Sequence, residues 1–259
     1  MSNETPDGSW IEAGTKAIQQ ARHLLDNANK DMRHTERIEE QGRETKIQAD
    51  QKLHNTIASI LETTGLPVYS EEGNTASPAN DTWCWVIDPL DGSANYQRGL
   101  TLCASSIALC QGMQPQTGFI YDLHQSSVII GGAGVVPQPK WQCADTKSLD
   151  RAILCTGIPA RLQWSEENTR RFGDMFRTFY KIRMLGSAVQ ALLHVASGRA
   201  DAYYERNIMF WDVAAAWAIA KTAGVILEAR PGTRAGSLEI LATTPALLPM
   251  CRQRLLQET

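Results

Sequence analysis

Two carboxylates stand three residues apart in one short segment, residues 85–95, which has the sequence WVIDPLDGSAN. A β-rich run delivers Asp88 at its end, and the chain turns there because the following proline cannot continue a strand ladder. Asp91 comes next in the turn, with the Leu90 carbonyl between the two carboxylates. Mg²⁺ binds oxygen ligands in near-octahedral geometry. The segment therefore offers several oxygens of the kind that a magnesium site needs.

The residues after the second carboxylate suit an anion. Gly92 and Ser93 could open a helix or a nest whose free N–H groups donate hydrogen bonds to phosphate oxygens. Alone, the pattern D-x-x-D-G-[ST] fits an ordinary turn with two solvated aspartates equally well.

Two further acidic sites favour the metal interpretation. Glu71 and Glu72 end a strand-like run, and Asp212 precedes an apolar helix. An acidic pair after a strand is usually a surface feature, and an aspartate before a helix is a good N-cap. However, three acidic sites that are far apart in sequence, at strand ends or a helix start, are what one metal cluster would require.

The composition excludes several classes of protein. The chain has 259 residues, 43% of them hydrophobic and 20% charged, with a net charge of −3. Its longest apolar run, Val213–Ala220, has eight residues, whereas a membrane-spanning helix needs about 20. The near-balanced charge gives no bulk signal for nucleic acid. We expect one compact unit in two halves, residues 1–145 with most metal ligands and residues 146–259 closing the active site.

The cysteines and the N-terminus indicate a cellular compartment. The six cysteines are scattered without a C-x-x-C pair, which predicts buried free thiols in a reducing compartment. The first ten residues are polar and lack the basic and apolar regions of a signal peptide. We therefore expect a cytoplasmic protein.

Periodicity predicts a mixture of helices and strands in both halves. Helices are expected over residues 10–29, 49–61, 166–180, 187–197, 212–223 and 245–256, and strands over 66–70, 83–87, 102–110, 118–121, 128–130, 153–156, 226–228 and 239–242. The charge-dense stretch 30–46 is expected to be a solvated helix extension or a mobile loop.

Five segments, in order, resemble the inositol monophosphatase family of lithium-sensitive, Mg²⁺-dependent phosphatases. They are Ser70-Glu71-Glu72, residues 85–95, Gly186-Ser187-Ala188, residues 198–205 and Trp211-Asp212-Val-Ala-Ala. The resemblance covers roughly residues 45–230. It implies an α+β fold, a layered αβαβα sandwich of the inositol monophosphatase/fructose-1,6-bisphosphatase type, assembled as a homodimer.

The same resemblance implies roles for individual residues. Two or three Mg²⁺ ions, for which Mn²⁺ can substitute, would be held by Glu71, Asp88, the Leu90 carbonyl, Asp91 and Asp212. The catalytic set would be Asp50, Glu71, Glu72 and Ser93, with Ser93 donating a hydrogen bond to Asp50 to help polarise the attacking water. The substrate would contact Asp91, Gly92, Ser93, Gly186, Ser187, Ala188, Glu205 and Asp212.

The implied reaction is hydrolysis of a small phosphate monoester by in-line attack of a metal-activated water. Inositol monophosphate or a related sugar or polyol phosphate is the expected substrate, because a carboxylate at Glu205 can accept hydrogen bonds from a polyol. Adenosine 3′,5′-bisphosphate and fructose 1,6-bisphosphate are alternatives. A non-catalytic member of the fold that binds a ligand or partner is an alternative of another class, although such proteins usually lose an acidic ligand and none is missing here.

Overall fold

The computed structural model describes residues 6–27, 37–41, 44–73, 75, 78, 81–158 and 164–256, with the backbone alone at 37–41 and 44–47. Up to residue 132 it contains α1 (Gly8–Asp26), β1 (Arg37–Gln41), β2 (Glu44–Ile47), α2 (Gln48–Leu61), β3 (Val68–Ser70), β4 (Trp83–Asp91), α3 (Ser93–Gln97), β5 (Ala104–Gln111), β6 (Gln114–Asp122) and β7 (Ser127–Gly132). Beyond that residue it contains β8 (Ile153–Thr156), α4 (Glu166–Thr178), β9 (Lys181–Arg183), α5 (Ala188–Ala196), β10 (Ala202–Met209), α6 (Phe210–Thr222), β11 (Ile226–Pro231), β12 (Ser237–Thr243) and α7 (Leu248–Cys251).

Two five-stranded sheets form the framework. The first has the order β3-β4-β5-β6-β7, with β3 parallel to β4 and the other neighbours antiparallel. The second has the order β11-β12-β10-β8-β9, in which β8 runs parallel to both of its neighbours. The two sheets are formed by successive parts of the chain. The proposed division into residues 1–145 and 146–259 stays a prediction. Helix α6, from the later part, packs on the earlier sheet.

Side-chain alternation along the strands separates the protein into five layers, because successive residues of a strand point to opposite faces. On β4, Trp85 and Ile87 pack with α1 and α2, whereas Cys84 and Val86 pack with α5 and α6. On β10, Tyr203 joins that same middle layer, and its neighbour Tyr204 joins the outer layer of α4 and α7. The expected αβαβα sandwich is therefore confirmed.

The sequence patterns located most elements, but not all of them. Strands β9 and β10 and the short helix α3 were not predicted as elements. The helix predicted over 245–256 is shorter in the structure. Pro249 is tolerated only in the first turn of a helix, so α7 begins just before it. A π-helical turn, Arg252–Leu256, follows α7. Within the described residues, no helix is both long and apolar enough to cross a membrane.

The expectation of a helix extension or mobile loop over 30–46 is wrong for the described part of that stretch. Strands β1 and β2 pair there as an antiparallel hairpin. A hairpin ladder is formed by backbone groups, so it does not need the apolar periodicity that this stretch lacks. Residues 28–36 and 42–43 lie outside the described residues.

The cysteine prediction is confirmed in its structural part. All six cysteines are free thiols, and all except the half-buried Cys143 are buried.

Helix α6 lies very close to strand β6. A Cβ atom added at Gly118 of β6 would stand 2.1 Å from the carbonyl oxygen of Ala215 in α6. That oxygen belongs to the backbone, so it cannot move without shifting the helix. The small residue at this position is therefore required by the approach of the central helix to the sheet.

Gly118→Ala should lower the free energy of unfolding by about 3 kcal/mol, the upper part of the usual range for overpacking a core. Denaturant unfolding monitored by circular dichroism measures this change. Gly8→Ala is the matched control, because a Cβ at Gly8 meets nothing within 4 Å. Equal stability of the two variants would show that α6 and β6 have room between them.

Candidate metal centre

The register of two parallel strands places the first two acidic residues side by side. Ser70 of β3 pairs with Ile87 of β4, so the next residues along the two strands, Glu71 and Asp88, lie side by side. Asp88 stays paired with Ser106 of β5, and the turn predicted at Pro89 is wrong, because β4 continues to Asp91. The parallel β3–β4 pairing stops where β3 ends, and two carboxylates stand at that point. This juxtaposition follows from strand pairing and not from proximity in the sequence.

Helix α6 brings the third carboxylate to the same place. Oxygen atoms of Glu71, Asp88 and Asp212 all lie within 4.8 Å of one another. Asp212 is the third residue of α6, and its Oδ2 accepts the backbone N–H of Met209 at 3.0 Å. It therefore serves the helix start as expected, although not from the N-cap position itself.

The electrostatics of this cluster favour a cation. Asp88 is only 1% exposed, and burial together with repulsion from Glu71, Asp91 and Asp212 holds its pKa well above the ordinary value. Burial and the charges of Glu71 and Asp91 likewise raise the pKa of Asp212. Three hard oxygen donors that repel one another fit a divalent ion such as Mg²⁺, whose charge would relieve the repulsion.

Asp91, the fourth predicted ligand, is held by the start of helix α5. Its carboxylate accepts a short hydrogen bond from the Ser187 hydroxyl, and N–H bonds from Ala188 at 3.3 Å and Val189 at 2.8 Å. Burial raises the pKa of Asp91 to about 6, although these hydrogen bonds lower it. The N-terminal end of a helix stabilises a negative charge, so α5 supports Asp91 beside the cluster.

This geometry bears on the predicted substrate contact at Ser187. Its hydroxyl donates to Asp91 and also accepts the backbone N–H of Gln190 at 3.0 Å. In this structure the side chain is therefore occupied in holding Asp91 and in capping α5. Its contact with substrate stays a prediction.

The predicted pair of Asp50 and Ser93 is in contact. The Ser93 hydroxyl lies 3.3 Å from Asp50 Oδ1 and 3.0 Å from the Leu90 carbonyl oxygen. Asp50 reaches this point from the first turn of α2 and is buried. Gly92, just before α3, has a φ of +84°, a backbone conformation that favours glycine. The Ser93 hydroxyl carries a single proton, so it donates either to Asp50 or to the Leu90 carbonyl, which is itself predicted as a metal ligand.

Glu205 lies near the cluster, because its charge contributes to the raised pKa of Asp212. This side chain is buried, and its Oε2 accepts a hydrogen bond from the Tyr203 hydroxyl at 2.9 Å. Burial raises the pKa of Glu205 to about 7. The role of Tyr203 was not predicted, although two residues on one strand face the same side. A Cβ at Gly157 would stand 2.2 Å from the Glu205 carboxylate, so the missing side chain at Gly157 makes room for it.

Comparisons with known proteins agree with this architecture. A sequence model of the inositol monophosphatase family matches residues 8–254. An inositol-1-monophosphatase of Synechocystis is 29% identical over 232 residues, which cover 85% of this chain and 79% of the relative. One from Mycobacterium bovis is 30% identical and covers 71% of this chain and 67% of the relative. The solved structure of inositol monophosphatase from Anabaena superposes with a TM-score of 0.79 at 26% identity, over 97% of this chain and 96% of that one.

The metal-free protein should lose stability as the pH rises from about 5 to about 8. Asp91 and Glu205 have pKa values near 6 and 7 when folded, above their ordinary values, so the folded state binds more protons in this interval. Melting temperatures in a chelator across the pH series measure the effect. The Glu205→Gln variant should show a shallower decline. A melting temperature that stays level or rises in the wild type would contradict the assignment.

Proposed function

The chain belongs to the inositol monophosphatase family, whose members are phosphatases that hydrolyse phosphate monoesters, and we propose that this protein hydrolyses a small polyol phosphate with Mg²⁺ held by Glu71, Asp88 and Asp212. The observation that carries the proposal is the convergence of these three carboxylates within 4.8 Å: Glu71 follows β3, Asp88 lies in β4 and Asp212 in the first turn of α6. Asp91 and the Leu90 carbonyl would complete the ligand set. Bound Mg²⁺ supplies neutralisation of the phosphate charge and Lewis-acid activation of water.

The residues around the cluster would position the reactants. When the Ser93 hydroxyl donates to Asp50, its lone pairs can accept a hydrogen bond from a water molecule and so orient that water. Gly92 and Ser93 would contact the phosphate at the turn after β4. Glu72, which follows the first ligand, would assist the same water. Phosphate monoesters hydrolyse extremely slowly without such help.

A polyol is the favoured alcohol part because of Glu205. Tyr203 donates to Oε2, so a substrate hydroxyl would donate to Oε1. Gly186, just before α5, and Ala188, the first residue of α5, would also line the substrate site, since Gly186 adjoins Gly92. Inositol monophosphate is the proposed substrate, ahead of adenosine 3′,5′-bisphosphate and fructose 1,6-bisphosphate. A third ion, replacement of Mg²⁺ by Mn²⁺, a homodimer and a cytoplasmic location stay predictions from the family resemblance.

Purified protein with millimolar Mg²⁺ should release phosphate from inositol 1-phosphate faster than from the other two candidate substrates. Asp88→Asn should reduce release to background, because it removes the most buried charge of the cluster. Asp174→Asn, which alters an exposed ion pair with Arg177 on α4, should retain full activity. Li⁺ should inhibit the wild type. No release from any monoester in a broad panel would leave only the non-catalytic alternative.

Ser93→Ala should lower kcat about a hundredfold, the lower end of what acid–base assistance contributes, with a smaller change in KM. Asp50→Asn should act in the same direction, and the double variant should be much less than multiplicative, since both changes break one contact. Ser93→Thr, which keeps a hydroxyl, should be nearly neutral. Steady-state kinetics of the four variants tests this, and fully independent effects would show that the two residues do not act as a pair.

A further inference from the structure

The His54 side chain lies against the turn that carries Glu71, the first of the proposed metal ligands. We propose that His54 is a positioning residue that fixes Glu71 and Glu72 through the Ser70 hydroxyl. This inference rests on the proposed function, because it concerns how those carboxylates are presented to the metal. It assigns no ligand role to the histidine.

The hydrogen bonds form a short chain from helix α2 to the acidic turn. His54 Nδ1 lies 2.9 Å from Ser70 Oγ, and Ser70 is fully buried at the end of β3. The same Oγ accepts the backbone N–H of Glu72 at 3.3 Å. The turn is closed by Gly73 N–H donating to the Ser70 carbonyl at 3.2 Å. The two residues that follow Glu71 therefore both donate backbone hydrogen bonds to Ser70, which fixes the turn.

The other edge of the imidazole faces Gly73, at the far end of that turn. A Cβ added at Gly73 would stand 2.9 Å from His54 Cε1 and 3.2 Å from Nε2. A side chain at this position would push the ring away from Ser70. The ring thus fills the space between Ser70 and Gly73, and its position is set by contacts on both sides.

Helix α2 connects this contact with the other half of the site. His54 lies four residues after Asp50, so both side chains project from one face of α2. Asp50 contacts Ser93 after β4, while His54 contacts Ser70 at the end of β3. One helix therefore braces both strand ends that supply carboxylates. Partners that orient metal ligands typically affect metal affinity by 10–100-fold.

Calorimetric titration of the metal-free protein with Mg²⁺ tests the proposal without relying on turnover. His54→Ala, Ser70→Ala and Gly73→Ala should each raise the Kd about tenfold, the low end of that range. The His54→Ala/Ser70→Ala double variant should be no worse than Ser70→Ala alone, because Ser70→Ala already removes the contact with His54. His54→Asn should bind nearly as tightly as the wild type, since the asparagine amide can take the place of Nδ1.

The control is a similar pair elsewhere in the chain. His124 Nδ1 lies 2.9 Å from the Thr101 hydroxyl, and His124→Ala should leave the Kd unchanged. Melting temperatures in a chelator identify a purely structural role, in which His54→Ala lowers the melting temperature but not the Mg²⁺ affinity. That result, or no recovery in His54→Asn, would overturn the positioning role while the proposed function stands. A wild type that binds no Mg²⁺ would overturn both.

Discussion

The site depends on holding three carboxylates of like charge close together. Glu71, Asp88 and Asp212 repel one another at under 4.8 Å, and Asp88 is buried, so little solvent screens its charge. Such an arrangement is unfavourable by itself, so it persists only where the surrounding elements fix each carboxylate independently. The parallel pairing of β3 with β4 fixes two of them, and the start of α6 fixes the third.

The layered fold holds these carboxylates in defined positions. Helix α6 is apolar on nearly every side and lies between the two sheets, where its alanines let it approach β6 at Gly118. Because a helix packed on both sides cannot rotate or slide freely, the acidic residue in its first turn has a defined position. Helix α5, in the same layer, presents its N-terminal end to Asp91. The middle layer thus serves both as the core and as the support of the site.

Local sequence patterns revealed the acidic segments and most elements, whereas non-local geometry was inaccessible to them. Periodicity found α2, β4 and α6, but the five-layer order and the ligand set came from family resemblance. The bond from Ser187 to Asp91 joins residues 96 positions apart, and no spacing rule predicts it. Strand β10 was missed because it contains arginine and asparagine in its later part, although Tyr203 and Glu205 within it were recognised as a motif.

Burial limits the reactivity of the cysteine thiols. Oxidants and alkylating reagents are attacked by the thiolate and not by the thiol. Burial raises the pKa of Cys84 and of Cys155 to about 12, and that of Cys251 to about 11, so almost none of these groups ionises at neutral pH. Cys143 is the partly exposed member of the six, and its pKa is raised as well. Five of the six cysteines are buried, so the chain offers electrophiles little thiolate sulfur at neutral pH.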